Sequence, residues 1–251
     1  MFLRVPYSSP KAPKMSQRML TLLALLALLV LLPLGCLGTP QPDPPNIDPG
    51  HVFGWGTLGP PTVLIQGEAG AVVPSDAVLR IWSLQQQDPP ADVTPAPDGS
   101  FSVEVPGNVG EEFRLQSRLD GDRSVPVDVV VVGEGPGLVA PAPRPLADCL
   151  RTSPALETTV PAGGRAVVRL RNDCAEPVVV SRVALRAPVS PFSVISPFVV
   201  PTAPMDLPVG WVMPIVVEYS PAAGGPDEEI LLIETTLPVV DRRPITLVGA
   251  P

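Results

Sequence analysis

A single histidine, His51, is all the imidazole this 251-residue chain has, and that scarcity excludes most hydrolytic mechanisms. A serine or cysteine nucleophile needs a base within hydrogen-bond reach, and no Gly-x-Ser-x-Gly elbow occurs anywhere. Three cysteines with no Cys-x-x-Cys among them do not make a zinc site. Aromatic residues are 4% of the chain, so the cores must be built from aliphatic side chains. Both lysines fall at positions 11 and 14, and residues 1–35 hold four basic residues and no acids. Discounting them takes the net charge from −8 to −12. Such a balance excludes nucleic acid as a partner and argues against adhesion to anionic headgroups by charge. The carboxylates do not suggest catalysis either. Asp88, Asp92 and Asp98 lie among prolines, where solvated turns are expected and no pocket tunes a pKa. Asp120-Gly121-Asp122 reads as a hairpin tip, because calcium wants six or more oxygens. No metal, cofactor or catalytic residue is expected.

What the chain does have begins at Arg18, which precedes an apolar run from Met19 to Leu34 ending in Gly35 and Cys36. A basic flank, an apolar stretch and a small residue make an export signal. Leu34-Gly35-Cys36 looks like a bacterial lipobox, and that resemblance implies that residues 1–35 are removed and Cys36 is acylated. Leu37, where an inner-membrane retention signal has Asp, then points to the outer membrane. The alternatives are ordinary secretion and an uncleaved anchor, although a span needs about 20 apolar residues and Pro33 interrupts this one. Residues 1–14 show no helical pattern, so the start codon is expected at either Met1 or Met15.

If Cys36 carries lipid, Cys149 and Cys174 remain as a pair in an oxidising compartment, where disulfides persist. Closing that loop stabilises by roughly 3.5 kcal/mol on the chain-entropy model; the alternative is two buried free thiols. Residues 36–50 contain five prolines after Cys36. They form a semi-rigid tether.

Period-two alternation then dominates. In 77–84, Val78, Arg80 and Trp82 oppose Leu79 and Ile81. Phe101, Val103 and Val105 alternate with Ser102 and Glu104, and Phe113, Leu115 and Leu119 with Arg114, Gln116 and Arg118. Asp98-Gly99 reads as a tight hairpin turn. The order AVLRIW, PDGSFSVEVP, FRLQSRLDGDRSVPVDVVV resembles carboxypeptidase-regulatory or transthyretin-like sandwiches over about 62–132, which implies a non-catalytic module within a domain of 51–132. Phe53 and Trp55, in HVFGWG, lie on one side of an extended strand. They form either a contact surface or an inward-packed edge. Trp82 and Trp211 are assigned to cores.

Residues 133–147, rich in Pro and Gly, read as a linker. Beyond it RAVVRLRN, PVVVSRVALRA, VMPIVVEYSP, EEILLIETT and PITLVGA are strands. The succession from Arg165–Asn172 through Pro191-Phe192-Ser193-Val194, Leu207-Pro208-Val209-Gly210, Val217, Tyr219 and Pro221 to Ile245–Gly249 resembles the Hydin-type Ig-like domain. That resemblance covers 149–250, within a domain of 148–251; Asp173-Cys174 departs from the family pattern, and a bridge from Cys149 to Cys174 would link the domain's start to the end of its second strand.

The expectation is therefore an all-β protein, two Ig-like β-sandwich domains in tandem behind a signal peptide and a proline-rich tether. It is a non-enzymatic lipoprotein of the cell envelope, held in the bilayer through acylated Cys36 and binding an envelope protein or glycan. The alternatives are an accessory subunit of an envelope hydrolase or peptidase, and a chaperone-like module offering an edge strand.

Overall fold

The computed structural model describes residues 43–57, 61–131, 137–138, 140–141, 148–221, 227–236, 238 and 240–250. Cys36 and the apolar run lie outside them. Among the described residues the protein is all β, with one short 3-10 turn at Pro49–His51. Pro44–Pro251 form one compact unit.

The N-terminal half contains β1 (Asn46–Ile47), β2 (Val52–Gly56), β3 (Thr62–Gly67), β4 (Val72–Val73), β5 (Val78–Ser83) and β6 (Ala91–Val93). It continues with β7 (Phe101–Pro106), β8 (Glu112–Leu119), β9 (Asp122–Arg123), β10 (Val127–Val130), β11 (Gly137–Leu138) and β12 (Ala140–Pro141). One sheet runs β11-β2-β3-β7 and the other β12-β10-β8-β5-β6, with β9 paired to β8. Val52, Val63, Ile65, Phe101 and Val105 of the first sheet meet Leu79, Ile81, Phe113, Leu115 and Val129 of the second. The alternating apolar positions thus close one core between two sheets. Residues 137–138 and 140–141, in the segment expected as a linker, instead add short strands to β2 and β10.

The C-terminal half contains β13 (Leu150–Ser153), β14 (Glu157–Pro161), β15 (Arg165–Asn172), β16 (Val178–Leu185) and β17 (Phe192–Ser196). It closes with β18 (Met205–Leu207), β19 (Val212–Tyr219), β20 (Glu228–Thr235) and β21 (Asp241–Ala250). Its sheets are β13-β15-β19-β17 and β14-β21-β20-β16-β18, with β14 parallel to β21. Val168, Leu170, Ile215 and Val217 of one sheet pack against Val180, Leu231, Ile233 and Leu247 of the other. Tyr219 stacks on Phe192, their centroids 4.7 Å apart, and its hydroxyl donates to Asp227. Gly249 is required beneath that ring, because a Cβ there would lie 2.3 Å from it.

Three expectations are corrected. Asp98-Gly99 is not a hairpin turn, because β6 and β7 belong to different sheets. The turn carries the chain from one sheet to the other. Gly99 has φ +84° with Val72 O 2.5 Å from where a Cβ would stand, and Asp98 Oδ1 accepts from the Ser100 amide at 3.0 Å. Trp82 is buried outside the N-terminal core, packing with Leu84 against Ile230 and Leu232 of the other half. Trp211 is not in a core at all. It follows the Pro208–Gly210 turn, where Gly210 has φ +73°, and is 64% exposed.

Trp82 marks a joint between the halves that is otherwise polar. The faces of β5 and β8 opposite the N-terminal core carry Arg80, Arg114, Gln116 and Arg118. Arg114 is fully buried. Its guanidinium forks onto Asp128 at 2.6 and 2.7 Å and donates to Thr246 Oγ1 at 3.2 Å and Leu156 O at 3.3 Å. Gln116 Nε2 donates to Glu157 Oε2 at 2.8 Å, and Arg242 Nη1 to Glu112 Oε2 at 3.1 Å. A bidentate guanidinium suits this role, because its fixed fork satisfies one carboxylate and leaves donors for the opposite half.

Candidate functional site

Among the described residues, three places gather charged or aromatic side chains that bear on function: the joint, the outer face of the β2 sheet and the outer face of the β15 sheet.

At the joint, Arg80 Nη1 and Arg118 Nη1 donate to Glu228 at 2.8 and 3.2 Å, and Arg123 pairs with the same carboxylate. Arg80 also forks onto Asp92 with two bonds of 2.6 Å. Burial pushes the Glu228 carboxyl up, but Arg123, Arg80 and Arg118 together outweigh burial and hold it below its usual range. Asp92 is likewise held low: burial raises it, and the Arg80 hydrogen bond and charge more than offset this. Arg186 and Glu229 make a less compensated pair 3.7 Å apart. Burial lowers the arginine and raises the carboxylate, while Arg186 Nη1 donates across the joint to Gln86 O and Asp88 O at 2.9 and 2.8 Å. A cavity of about 280 Å³ opens here, walled by Trp82, Pro89, Pro90, Pro188 and Val189. These arginines and carboxylates face one another where the two halves meet. They are a fastening.

Asp88, Asp92 and Asp98 accordingly do not converge: Asp92 serves the joint, Asp88 accepts there through its backbone, and Asp98 stays in its turn. Leu119 pairs with Asp122 across Asp120 and Gly121, whose φ values of 50° and 93° make a two-residue hairpin tip. His51 is exposed, its Nδ1 3.8 Å from Asp48 Oδ2. Among the described residues no group of three or more His, Cys, Asp or Glu is placed to hold a metal.

Phe53 and Trp55 lie half-buried on the β2 face opposite Val52 and Gly54, which are buried. The inward-packed alternative is therefore not realised, because the core takes Val52. Across the strands Phe53 pairs with Gln66 and Trp55 with Leu64, which in turn faces Glu104.

The second outer face was not singled out in the sequence, although period two places Arg165, Val167, Arg169 and Arg171 of RAVVRLRN together. On β15 these four are exposed while Val168 and Leu170 point into the core. Register sets Arg151 of β13 beside Arg171, which faces Val212 of β19, and Ser153 beside Arg169, which faces Pro214. Arg171 Nε donates to Asp173 at 2.6 Å, and Arg165 to Glu218 at 3.2 Å. Arg151 lies 3.9 Å from Asp173. Among the described residues these four arginines have two ion-pair partners, Asp173 and Glu218. Trp211 stands at its end, held by Asn172: the Asn172 amide donates to Trp211 O at 3.0 Å and the Gly210 amide to Asn172 O at 2.7 Å.

Cys149 and Cys174 lie just beyond the paired ends of β13 and β15, their sulfurs 2.12 Å apart and at disulfide distance. The cysteines flank neighbouring strands of one sheet, so the link does not cross between sheets. No protein-family model matches the chain, and no curated protein is similar to it.

Proposed function

We propose that the protein is a lipid-anchored envelope protein whose body is a rigid, non-catalytic binding or scaffolding module. The Met19–Leu34 run ending in Leu34-Gly35-Cys36 carries this reading, and Cys36 is the anchor. Cysteines at disulfide distance fit an exported, oxidising setting. The two sheet pairs are read as tandem Ig-like domains, over 51–132 and 148–251, of the Hydin-like and transthyretin-like kinds. Their fastening at Glu228 and Arg114 fits a scaffold, because it fixes the angle between the surfaces each half presents. Outer faces bearing Phe53 and Trp55, or arginines, suit recognition. An envelope protein or glycan is the partner of the Phe53 and Trp55 face, and the outer membrane the location.

Fatty-acid labelling tests the anchor. Wild type takes up label and Cys36→Ser does not; label retained in that variant removes the reading. A second reading, strand addition by a partner, is favoured by β7, a six-residue strand that pairs with β3 alone among the described strands. Hydrogen exchange of the 101–106 amides slowed by a captured peptide would support it.

A further inference from the structure

The net charge of the chain conceals an asymmetry. Residues 43–131 hold thirteen acids and four arginines, whereas the outer face of β13-β15-β19-β17 carries Arg151, Arg165, Arg169 and Arg171, whose ion-pair partners among the described residues are Asp173 and Glu218. From this we infer that the arginine face is a membrane-contact surface, which lays the C-terminal half on anionic lipid headgroups.

Charge complementarity is the first argument. Arg151, Arg165 and Arg171 have side chains 74%, 59% and 58% exposed, and Arg169 is exposed without an ion-pair partner among the described residues. Each basic residue near an anionic surface strengthens attachment about fivefold. In solvent the screening length is about 8 Å at physiological salt, so charges presented directly to the headgroups weigh more than acids held farther from the bilayer.

The second argument is the apolar character at the end of the same sheet. Trp211, 64% exposed, sits with Val209 (47%) and Val212 (43%) on a turn locked by Asn172. A tryptophan flanked by valines and arginines has the composition of an interfacial anchor, with the ring at headgroup depth and guanidinium groups on phosphate. Rigid presentation removes the ordering cost that a loop would incur.

The third argument rests on the anchored reading above. Ten residue steps lead from Cys36 to Asn46, a reach of at most about 36 Å, so a lipid-held chain keeps its body beside the bilayer. There even weak attraction acts at high effective concentration.

The test uses a chain starting at Pro44, which retains the whole compact unit and lacks Cys36. Its outcome is therefore independent of acylation, which the labelling experiment addresses separately. Vesicle flotation compares phosphatidylcholine alone with a mixture containing about a third phosphatidylglycerol, near 0.1 M salt. At least tenfold stronger partition into the anionic vesicles is expected, falling severalfold as salt is raised. The combined variant Arg151→Gln, Arg169→Gln, Arg171→Gln should lose at least tenfold while its melting temperature holds. Vesicles should also shift the tryptophan emission of wild type to the blue but not that of Trp211→Phe. Equal partition into neutral and anionic vesicles, or a triple variant that floats like wild type, overturns the inference. So does binding to soluble polyphosphate or heparin without vesicle binding, which assigns the face to a different polyanion.

Discussion

Replacing Glu228 by Gln removes one negative charge and little else, and the joint makes the consequence large. The carboxylate is nearly buried and is the common partner of Arg80, Arg118 and Arg123. Of these, Arg118 Nε and Arg123 Nη1 are already buried without a hydrogen bond. In the variant, Arg123 loses its carboxylate and Arg118 keeps only Asp92 at 3.3 Å. Breaking a buried pair by removing one partner costs about 3–5 kcal/mol, because the remaining charge is left uncompensated. For a body of this size each kcal/mol shifts the melting temperature by about 2–4 °C, so Glu228→Gln should melt roughly 6–20 °C lower. The exposed pair of Arg165 and Glu218 is the control, and Glu218→Gln should change stability by less than about 1 kcal/mol. Urea unfolding monitored by far-ultraviolet dichroism measures both. A loss under 1 kcal/mol in Glu228→Gln would falsify the view that the arginines depend on this carboxylate and show that water replaces it.

The pH dependence follows from the same groups. Glu228 and Asp92 have folded pKa values below their unfolded ones, so they contribute stability above about pH 4 that is lost as pH falls through the lowered values. Glu229 has the opposite sign: burial raises it, so its penalty applies above the raised value and is relieved on protonation. Glu229→Gln should therefore be more stable than wild type at neutral pH, with the two converging in mild acid, as read from urea midpoints across pH; a parallel pair of curves would refute the assignment. Trp82→Ala should cost about 3–5 kcal/mol, as for other buried aromatics, and Trp211→Ser almost nothing; comparable losses in calorimetry would contradict their placement. Reducing the Cys149 and Cys174 pair, 25 residues apart, should lower stability by about 3.5 kcal/mol on the chain-entropy model, and an unchanged urea midpoint in reductant would argue against it.

The sequence by itself determined the strands and which of their residues face a core. Leu79 and Ile81, Phe113 and Leu115, and Val168 and Leu170 all point inward as their period-two spacing requires, because successive side chains of a strand must alternate. The two-residue tip at Asp120-Gly121 was equally legible, since only a few residue types tolerate positive φ. What alternation cannot tell is what covers the other face. Arg114 and Gln116 have the pattern of solvent-facing residues and are nevertheless buried, because strands of the C-terminal half lie over them and supply Thr246 and Glu157. In a chain this poor in aromatics, Trp82 and Trp211 both read as core residues. The first fills the joint and the second stands in water, because packing of the two halves sets one against Ile230 while the other falls in the turn before β19. The arginine face shows the same division. Spacing along β15 aligns Arg165, Arg169 and Arg171, but Arg151 joins them only through the pairing of β13 with β15, a long-range contact that no local pattern encodes.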